Sequence, residues 1–461
     1  MSTNPLAPSW LAVPEDANAL PAAVWSLNAH RTASGELEIA GVSATAVAAE
    51  FGTPVYVVDE ADARARARRI RESFDREFAR VGSAAKVYYA GKAFLSTEVA
   101  RWVTQEGLNI DVASGGEMAV ALAAGVDPAR LGLHGNNKSL AELDRAVSVG
   151  VGAIVIDSVV EIERVAAAAE RHGRVQPVRL RINSGVHAST HEYLATARED
   201  QKFGIPLADA PAAVARIRAH ESLGFLGLHS HIGSQIFESD GFAEAARRLF
   251  ALHAELLEGG DVPELNLGGG FGIAYTSVDD PLDIDEIARR FADIVAGGAA
   301  ELGIPVPVVA IEPGRSVIGP STTTLYTVGT IKDVEVDGHI RKYVSVDGGM
   351  SDNIRPSLYG ANYSARIASR VSDAPAALVR VAGKHCESGD ILVHADYLPA
   401  DVEAGDLLAI PATGAYGWAM ASNYNYLGRP PVVAVRDGVA RVIVRGETES
   451  DLLSRDMGVA Q

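Results

Sequence analysis

One lysine, two histidines, a run of glycines, a carboxylate and an arginine are spaced through this sequence in a pattern suited to carbonyl chemistry. Lys92 stands two residues beyond the β-rich run Val87-Tyr88-Tyr89-Ala90. The segments His229-Ser230-His231-Ile232-Gly233-Ser234, Gly268-Gly269-Gly270 and Glu312-Pro313-Gly314-Arg315 each end or follow another such run. A lysine amine attacks a carbonyl when neutral, and desolvation lowers its pKa toward that state. Consecutive glycines expose backbone N–H groups that can form a nest for an anion. Each feature also has a plainer reading: Lys92 as a solvated charge, the glycines as a turn, Glu312 paired with Arg315. His229 reads as a satisfied core histidine, and His231 as a flat ring suited to packing on another flat ring. The glycine run does not complete G-x-G-x-x-G, because Ile273 holds the sixth position, so a dinucleotide fold is weakly indicated. His229-x-His231 would also suit a metal hydrolase, although no third and fourth ligands are obvious on neighbouring strand ends.

The elements that must position these groups follow from periodicity. Strand-like runs fall at Lys86–Ala90, Leu108–Val112, Arg130–His134, Ala153–Ile156, Val178–Ile182, Gly224–His229, Glu264–Leu267 and Val308–Ile311. Helical stretches such as Leu95–Glu106, Ser139–Val149, Val159–Arg171 and Ala243–Leu257 separate them. This alternation predicts an α/β fold, a parallel (β/α)₈ TIM-type barrel over residues 62–315, with an open doubly wound sheet as the competitor. In a barrel, functional groups gather past the C-terminal ends of the strands, so the candidates converge on one rim. Pyridoxal 5′-phosphate matches the set: an aldehyde for Lys92, a ring nitrogen for Glu312, and a phosphate for Ser234, Gly270 and its neighbours, and Gly314.

Beyond Arg315 the alternation stops. Asp337-Gly338 and Asp437-Gly438 each lie between β-rich runs, the strongest short hairpin signal, since both turn residues must reach positive φ. Residues 316–461, together with 1–61, therefore read as a mainly antiparallel β domain of sandwich or barrel-like form. Its chemistry-bearing residues are Arg355, Tyr359, Tyr416 and His385-Cys386-Glu387-Ser388-Gly389-Asp390. Arg64–Arg80 reads as the solvated face of a helix.

Composition narrows the function classes. The 461 residues are 48% apolar and 22% charged, with 41 basic and 59 acidic residues and a net charge of −18. A surplus of that sign argues against binding nucleic acid or an anionic membrane surface. The single cysteine allows no internal disulfide and fits a reducing compartment. The N-terminal stretch lacks the basic and apolar regions of a signal peptide, and no apolar run approaches a membrane span. A cytoplasmic protein is expected.

In order along the chain stand Tyr89-Ala90-Gly91-Lys92-Ala93, Asp111-Val112-Ala113-Ser114-Gly115-Gly116-Glu117, and His191-Glu192-Tyr193 with Glu199-Asp200-Gln201-Lys202-Phe203-Gly204. His229 to Gln235, Gly268 to Gly270 and Glu312 to Arg315 follow. The series continues with Asp352-Asn353-Ile354-Arg355-Pro356-Ser357-Leu358-Tyr359, Cys386 to Asp390, and Gly414-Ala415-Tyr416. Together these segments resemble the diaminopimelate decarboxylases, within the alanine-racemase-like fold family of pyridoxal phosphate enzymes. The resemblance implies Lys92 as the Schiff-base lysine, His231 stacked on the cofactor ring, and Ser234, Gly270, Glu312, Pro313, Gly314 and Arg315 holding phosphate and pyridine. It implies substrate contacts from Arg315, Arg355, Tyr359, Glu387 and Tyr416, with Tyr416 also touching the cofactor. Cys386 would be the proton donor, reaching the site from the neighbouring subunit of a homodimer. Phe94 and Ser184 depart from the commoner pattern, which has Asn and Pro there.

A carboxylate at Glu312 keeps the pyridine nitrogen protonated and deepens the electron sink, which favours decarboxylation; relatives that racemise alanine place an arginine there. Two arginines suit a substrate that keeps a second carboxylate, since guanidinium pairs with carboxylate bidentately. The expected reaction is meso-diaminopimelate to L-lysine and CO₂, the last step of lysine biosynthesis. The alternatives are a related decarboxylase acting on carboxynorspermidine, ornithine or arginine, a metal-dependent barrel hydrolase, and a non-catalytic regulatory relative. The last would be expected to have lost Lys92 or Cys386.

Overall fold

Short runs of Val, Ile, Leu and Ala with no polar alternation are what strands buried on both faces require. Ala153–Ile156 is the clearest case, with all four residues buried. The structure, a computed structural model, describes residues 4–185, 202–231 and 240–458. It divides into two units: Arg64–Gly272 with Pro281–Ser316, and Met1–Ala63 with Ile273–Asp280 and Val317–Gln461.

In the first unit eight parallel strands pair in the order Gln176–Asn183, Leu223–His229, Glu264–Asn266, Val308–Ile311, Ala85–Ala90, Asn109–Val112, Leu131–Leu133 and Ala153–Ile156. The last pairs back onto Gln176–Asn183. The circle is closed, so the open doubly wound sheet is excluded. Helices between the strands are set by local chemistry. Ser96, Ser114 and Ser139 each cap one, accepting the backbone N–H three residues on, and Ser139 with Glu142 completes a capping box. The Arg-rich helix spans Glu60–Arg80. Its arginines pair mostly across exposed faces, Arg69 with Asp283 at 2.7 Å and Arg80 with Asp293 at 2.7 Å.

Arg179 centres a buried ionic group in the barrel interior. Arg179, 1% exposed, donates from Nε and Nη2 to Glu264 Oε2 at 3.0 and 2.6 Å and from Nη2 to the Tyr88 hydroxyl at 2.9 Å. Lys86 pairs with the other Glu264 oxygen. Removing one partner strands a buried charge, which costs more than the pair itself contributes. Arg179→Leu is therefore expected to lower unfolding free energy by on the order of 3 kcal/mol, read from the urea midpoint. Arg179→Leu combined with Glu264→Leu is expected to regain most of that loss.

The second unit is a mixed sheet. Its main path runs Ile391–Pro399, Ala376–Ala382, His339–Val346, Thr322–Val336, Val55–Asp59, Val432–Arg436 and Val439–Val444. Most pairs are antiparallel; His339–Val346 with Ala376–Ala382 and Val55–Asp59 with Val432–Arg436 are parallel. Val55–Asp59 lies between strands from the C-terminal third, so the N-terminal segment belongs to this sheet. Both Asp-Gly pairs turn hairpins, with φ of 52° and 76° at Asp337 and Gly338 and 51° and 78° at Asp437 and Gly438. No described helix is long and apolar enough to cross a membrane.

Candidate active site

A cavity of about 350 Å³ lies at the C-terminal ends of the barrel strands, lined by Lys92, Asp111, His134, Arg181, His231 and Glu312 among others. That size is within the range of small-molecule sites, which begins near ~300 Å³. Lys92 sits on a single helical turn, Gly91–Ala93, directly after the first strand. Its side chain is exposed.

Glu312 is buried at the end of the last strand. Asn266 Nδ2 donates to its Oε1 at 2.8 Å. His229 Nε2 lies 3.0 Å and His134 Nε2 3.6 Å from the same oxygen, and His134 Nε2 is 3.0 Å from Asp111 Oδ1. These imidazole approaches are close without being aligned. Both ring nitrogens of His229, His134 Nε2 and both Asp111 oxygens are buried with no directed hydrogen bond. Burial pushes the Glu312 carboxyl up, but His229 and His134 outweigh it and hold it well below the usual carboxylate range. Burial, with the neighbouring Glu312 charge, pushes Asp111 well above its usual value. Burial brings His134 and His229 down to about 4 against the opposing pull of Glu312, so both rings are neutral near pH 7.

His229 was expected to be a satisfied core histidine. It is core, at 1% exposed, but it is not satisfied, because it faces a carboxylate and a second imidazole in a polar cluster. The sequence made no third and fourth ligands for a His229–His231 metal site obvious. Ligand atoms of His134, His229 and Glu312 fall within 4.8 Å of one another, and His231 is not in that set. His231 has another role: its Nδ1 accepts the Gly269 N–H at 3.3 Å, which leaves the ring proton on Nε2, and burial holds its pKa well below the usual value. A flat, neutral ring therefore lines the cavity.

The glycine run is shaped by close approach. Gly268 has φ of 70°, its N–H donates to Asn266 Oδ1 at 2.8 Å, and its carbonyl accepts the Glu312 N–H at 3.0 Å. A Cβ on Gly269 would stand 2.1 Å from the Glu312 carbonyl oxygen, so only glycine lets the loop pass. Gly314 packs against Ala90 and Ala93, and the Pro313 carbonyl accepts the Ala90 N–H at 2.9 Å, tying the Glu312–Arg315 segment to the Lys92 strand. Arg315 opens the short helix Arg315–Ile318. Ser234 and the segment around His191 lie outside the described residues. Phe94 and Ser184 are buried, and the Phe94 carbonyl accepts the Tyr89 hydroxyl at 2.6 Å.

The other expected site residues belong to the sheet unit. Arg355 is buried, its guanidinium 4.6 Å from the Tyr275 ring centre and 5.6 Å from that of Tyr363, and it donates to the Tyr363 hydroxyl. Its Nε has no directed partner. Tyr359 and Glu387 are exposed, as is the Cys386 thiol. The Cys386 N–H donates to Asn425 Oδ1 at 3.1 Å, fixing the turn. Tyr416 is half-buried with φ of 63°, a left-handed conformation that costs a bulky residue energy and recurs where a side chain is aimed for function.

Lys92, His231 and Glu312 thus share one cavity. Sequence reasoning did not single out Asp111, His134, Arg181 or Asn266. His134 and Asn266 stand at or just past strand ends, so the rule that found Lys92 and Glu312 would have found them; Asp111 lies one residue and Arg181 two residues inside the ends of their strands. An amine, an ionised carboxylate, a neutral flat ring and a glycine loop fit the donor set that pyridoxal phosphate needs.

Residues 61–319 match the family model of the pyridoxal-dependent decarboxylases, over their pyridoxal-binding domain. A diaminopimelate decarboxylase of Mycobacterium tuberculosis (strain ATCC 25618 / H37Rv) is 51% identical over 443 residues, covering 94% of this chain and 98% of the relative. One from Bacillus subtilis (strain 168) is 45% identical over 427 residues, covering 92% and 95%. Among solved structures, a diaminopimelate decarboxylase from M. jannaschii in complex with L-lysine is similar at 31% identity and a TM-score of 0.85, covering 94% of this chain and 98% of that one.

Proposed function

The chain belongs to the diaminopimelate decarboxylases, within the pyridoxal-dependent decarboxylases, and on that premise we propose how its residues carry out the reaction. The substrate is meso-diaminopimelate, which loses one carboxyl as CO₂ and leaves L-lysine. Near full-length identity to relatives of that activity carries this reading over a metal hydrolase or another decarboxylase.

Pyridoxal phosphate, when bound, supplies an aldehyde that takes the substrate amine and an aromatic ring that accepts the electrons freed as CO₂ leaves. Lys92 is the amine proposed to hold that aldehyde between turnovers and to be displaced by substrate. Glu312, ionised and buried, holds the proton on the ring nitrogen. His231 packs its neutral ring on the face of the cofactor, fixed in plane by the Gly269 N–H. Ser234, Gly270, Pro313, Gly314 and Arg315 are proposed to hold the phosphate and the pyridine edge. Arg315, Arg355, Tyr359 and Tyr416 are proposed to hold substrate. Stacking on Tyr275 and Tyr363 keeps Arg355 flat for a bidentate carboxylate. Cys386 delivers the proton that replaces CO₂ and Glu387 reads the amino-acid end of the substrate, both from a second copy in a homodimer. A cytoplasmic setting accords with the single, exposed thiol.

The test is CO₂ release by the purified protein with pyridoxal phosphate from meso-diaminopimelate, carboxynorspermidine, ornithine and arginine. Release from meso-diaminopimelate, at least ~100-fold above ornithine and arginine in kcat/KM, is expected, because their cationic ends cannot pair with the buried guanidinium. Release from ornithine or arginine but not from diaminopimelate overturns the reading.

A further inference from the structure

Among the described residues, every directed or ionic contact of the Glu312 side chain falls on one of its two oxygens. Asn266 donates to Oε1 at 2.8 Å, and His229 and His134 bring Nε2 to 3.0 and 3.6 Å from it. Asn266 is fully buried at the end of the strand Glu264–Asn266, and both ends of its amide are engaged, since Oδ1 accepts the Gly268 N–H at 2.8 Å. The Glu312 N–H closes the circuit on the Gly268 carbonyl at 3.0 Å. One amide therefore locks the carboxylate and the glycine loop to each other.

We infer that Asn266 is a positioning residue for Glu312: its amide N–H engages Oε1, sets the plane of the carboxylate, and reserves Oε2 as the acceptor for the ring nitrogen of the cofactor. This rests on the functional reading above, which supplies the ring. A carboxylate that accepts N–H donors is a weaker base, so the shared proton stays on the ring nitrogen. With that donor removed, a buried carboxylate becomes more basic and takes that proton itself. The ring then draws electrons less strongly, and decarboxylation slows although substrate contacts are untouched. A hydrogen bond to a charged group is worth enough to change such an equilibrium about tenfold.

The experiment uses holoprotein loaded with pyridoxal phosphate ¹⁵N-labelled in the ring, and compares wild type with Asn266→Leu and Asn266→Ser. In wild type the ring nitrogen is expected at the chemical shift of a protonated pyridine. Asn266→Leu is expected to move it toward the unprotonated position, with kcat about tenfold lower and KM within about twofold. Asn266→Ser, too short to reach Oε1, is expected to give the same readout and serves alone should the leucine variant not fold. Variants without the donor that keep the wild-type shift overturn the inference. A wild-type chain that takes up no cofactor overturns the functional reading and this inference with it.

Discussion

Lys92→Ala is expected to lose decarboxylation by on the order of 10⁴-fold or more, the scale on which removing a covalent catalyst acts. The side chain is exposed on a one-turn helix, so its removal leaves the barrel core untouched, and the urea midpoint is expected to stay at the wild-type value. The loss then belongs to the chemistry. Borohydride reduction of wild-type holoprotein is expected to fix the cofactor to the peptide containing Lys92, and to fix none to the variant. Label on another peptide, or activity retained without Lys92, would remove the amine from the centre of the mechanism. Free cofactor added to Lys92→Ala is expected to bind more weakly, since the glycine loop and Glu312 remain but the anchoring bond does not.

The second large effect concerns the proton that replaces CO₂. Cys386→Ala is expected to lower kcat by about 10²–10⁴-fold, the range over which a positioned general acid acts. The thiol is exposed, and its turn is held by the Cys386 N–H on Asn425, an interaction the variant keeps. If the acid comes from a second copy, Lys92→Ala and Cys386→Ala damage different halves of each site. Unfolding the two variants together and refolding them is expected to restore about a quarter of wild-type activity, because half the dimers are mixed and each mixed dimer holds one intact site. Each variant alone stays inactive. A refolded mixture no more active than its parts would mean that one chain supplies both groups.

Much of this was legible in the chain itself. Asp337-Gly338 and Asp437-Gly438 announced hairpins because the positive φ they adopt is a property of those two residues. Val159–Arg171 was readable as a helix because its apolar spacing is local, and Ala153–Ile156 as a strand for the same reason. Lys92 and Glu312 stood out because strand ends in a parallel barrel are where functional groups collect, and strand ends can be counted. The membership of the sheet was harder to read: Val55–Asp59 joins strands more than 250 residues away, and its parallel partner Val432–Arg436 leaves no local mark. The role of His229 was misread for a related reason, since whether a buried imidazole is satisfied depends on what the other strands bring to it.

Sequence alone determined the order of elements, the turns, and the residues at strand ends, because each follows from a neighbour or from a period within one element. Only the tertiary structure decided that Asp111, His134, His229, Asn266 and Glu312 form one cluster at separations of 2.8 to 3.6 Å. Closing the circle of strands set those distances, and burial inside it set the charges, leaving Glu312 ionised and the facing imidazoles neutral. Proton affinity in such a cluster depends on solvent exclusion and on groups contributed by five different strands, and no stretch of sequence contains either.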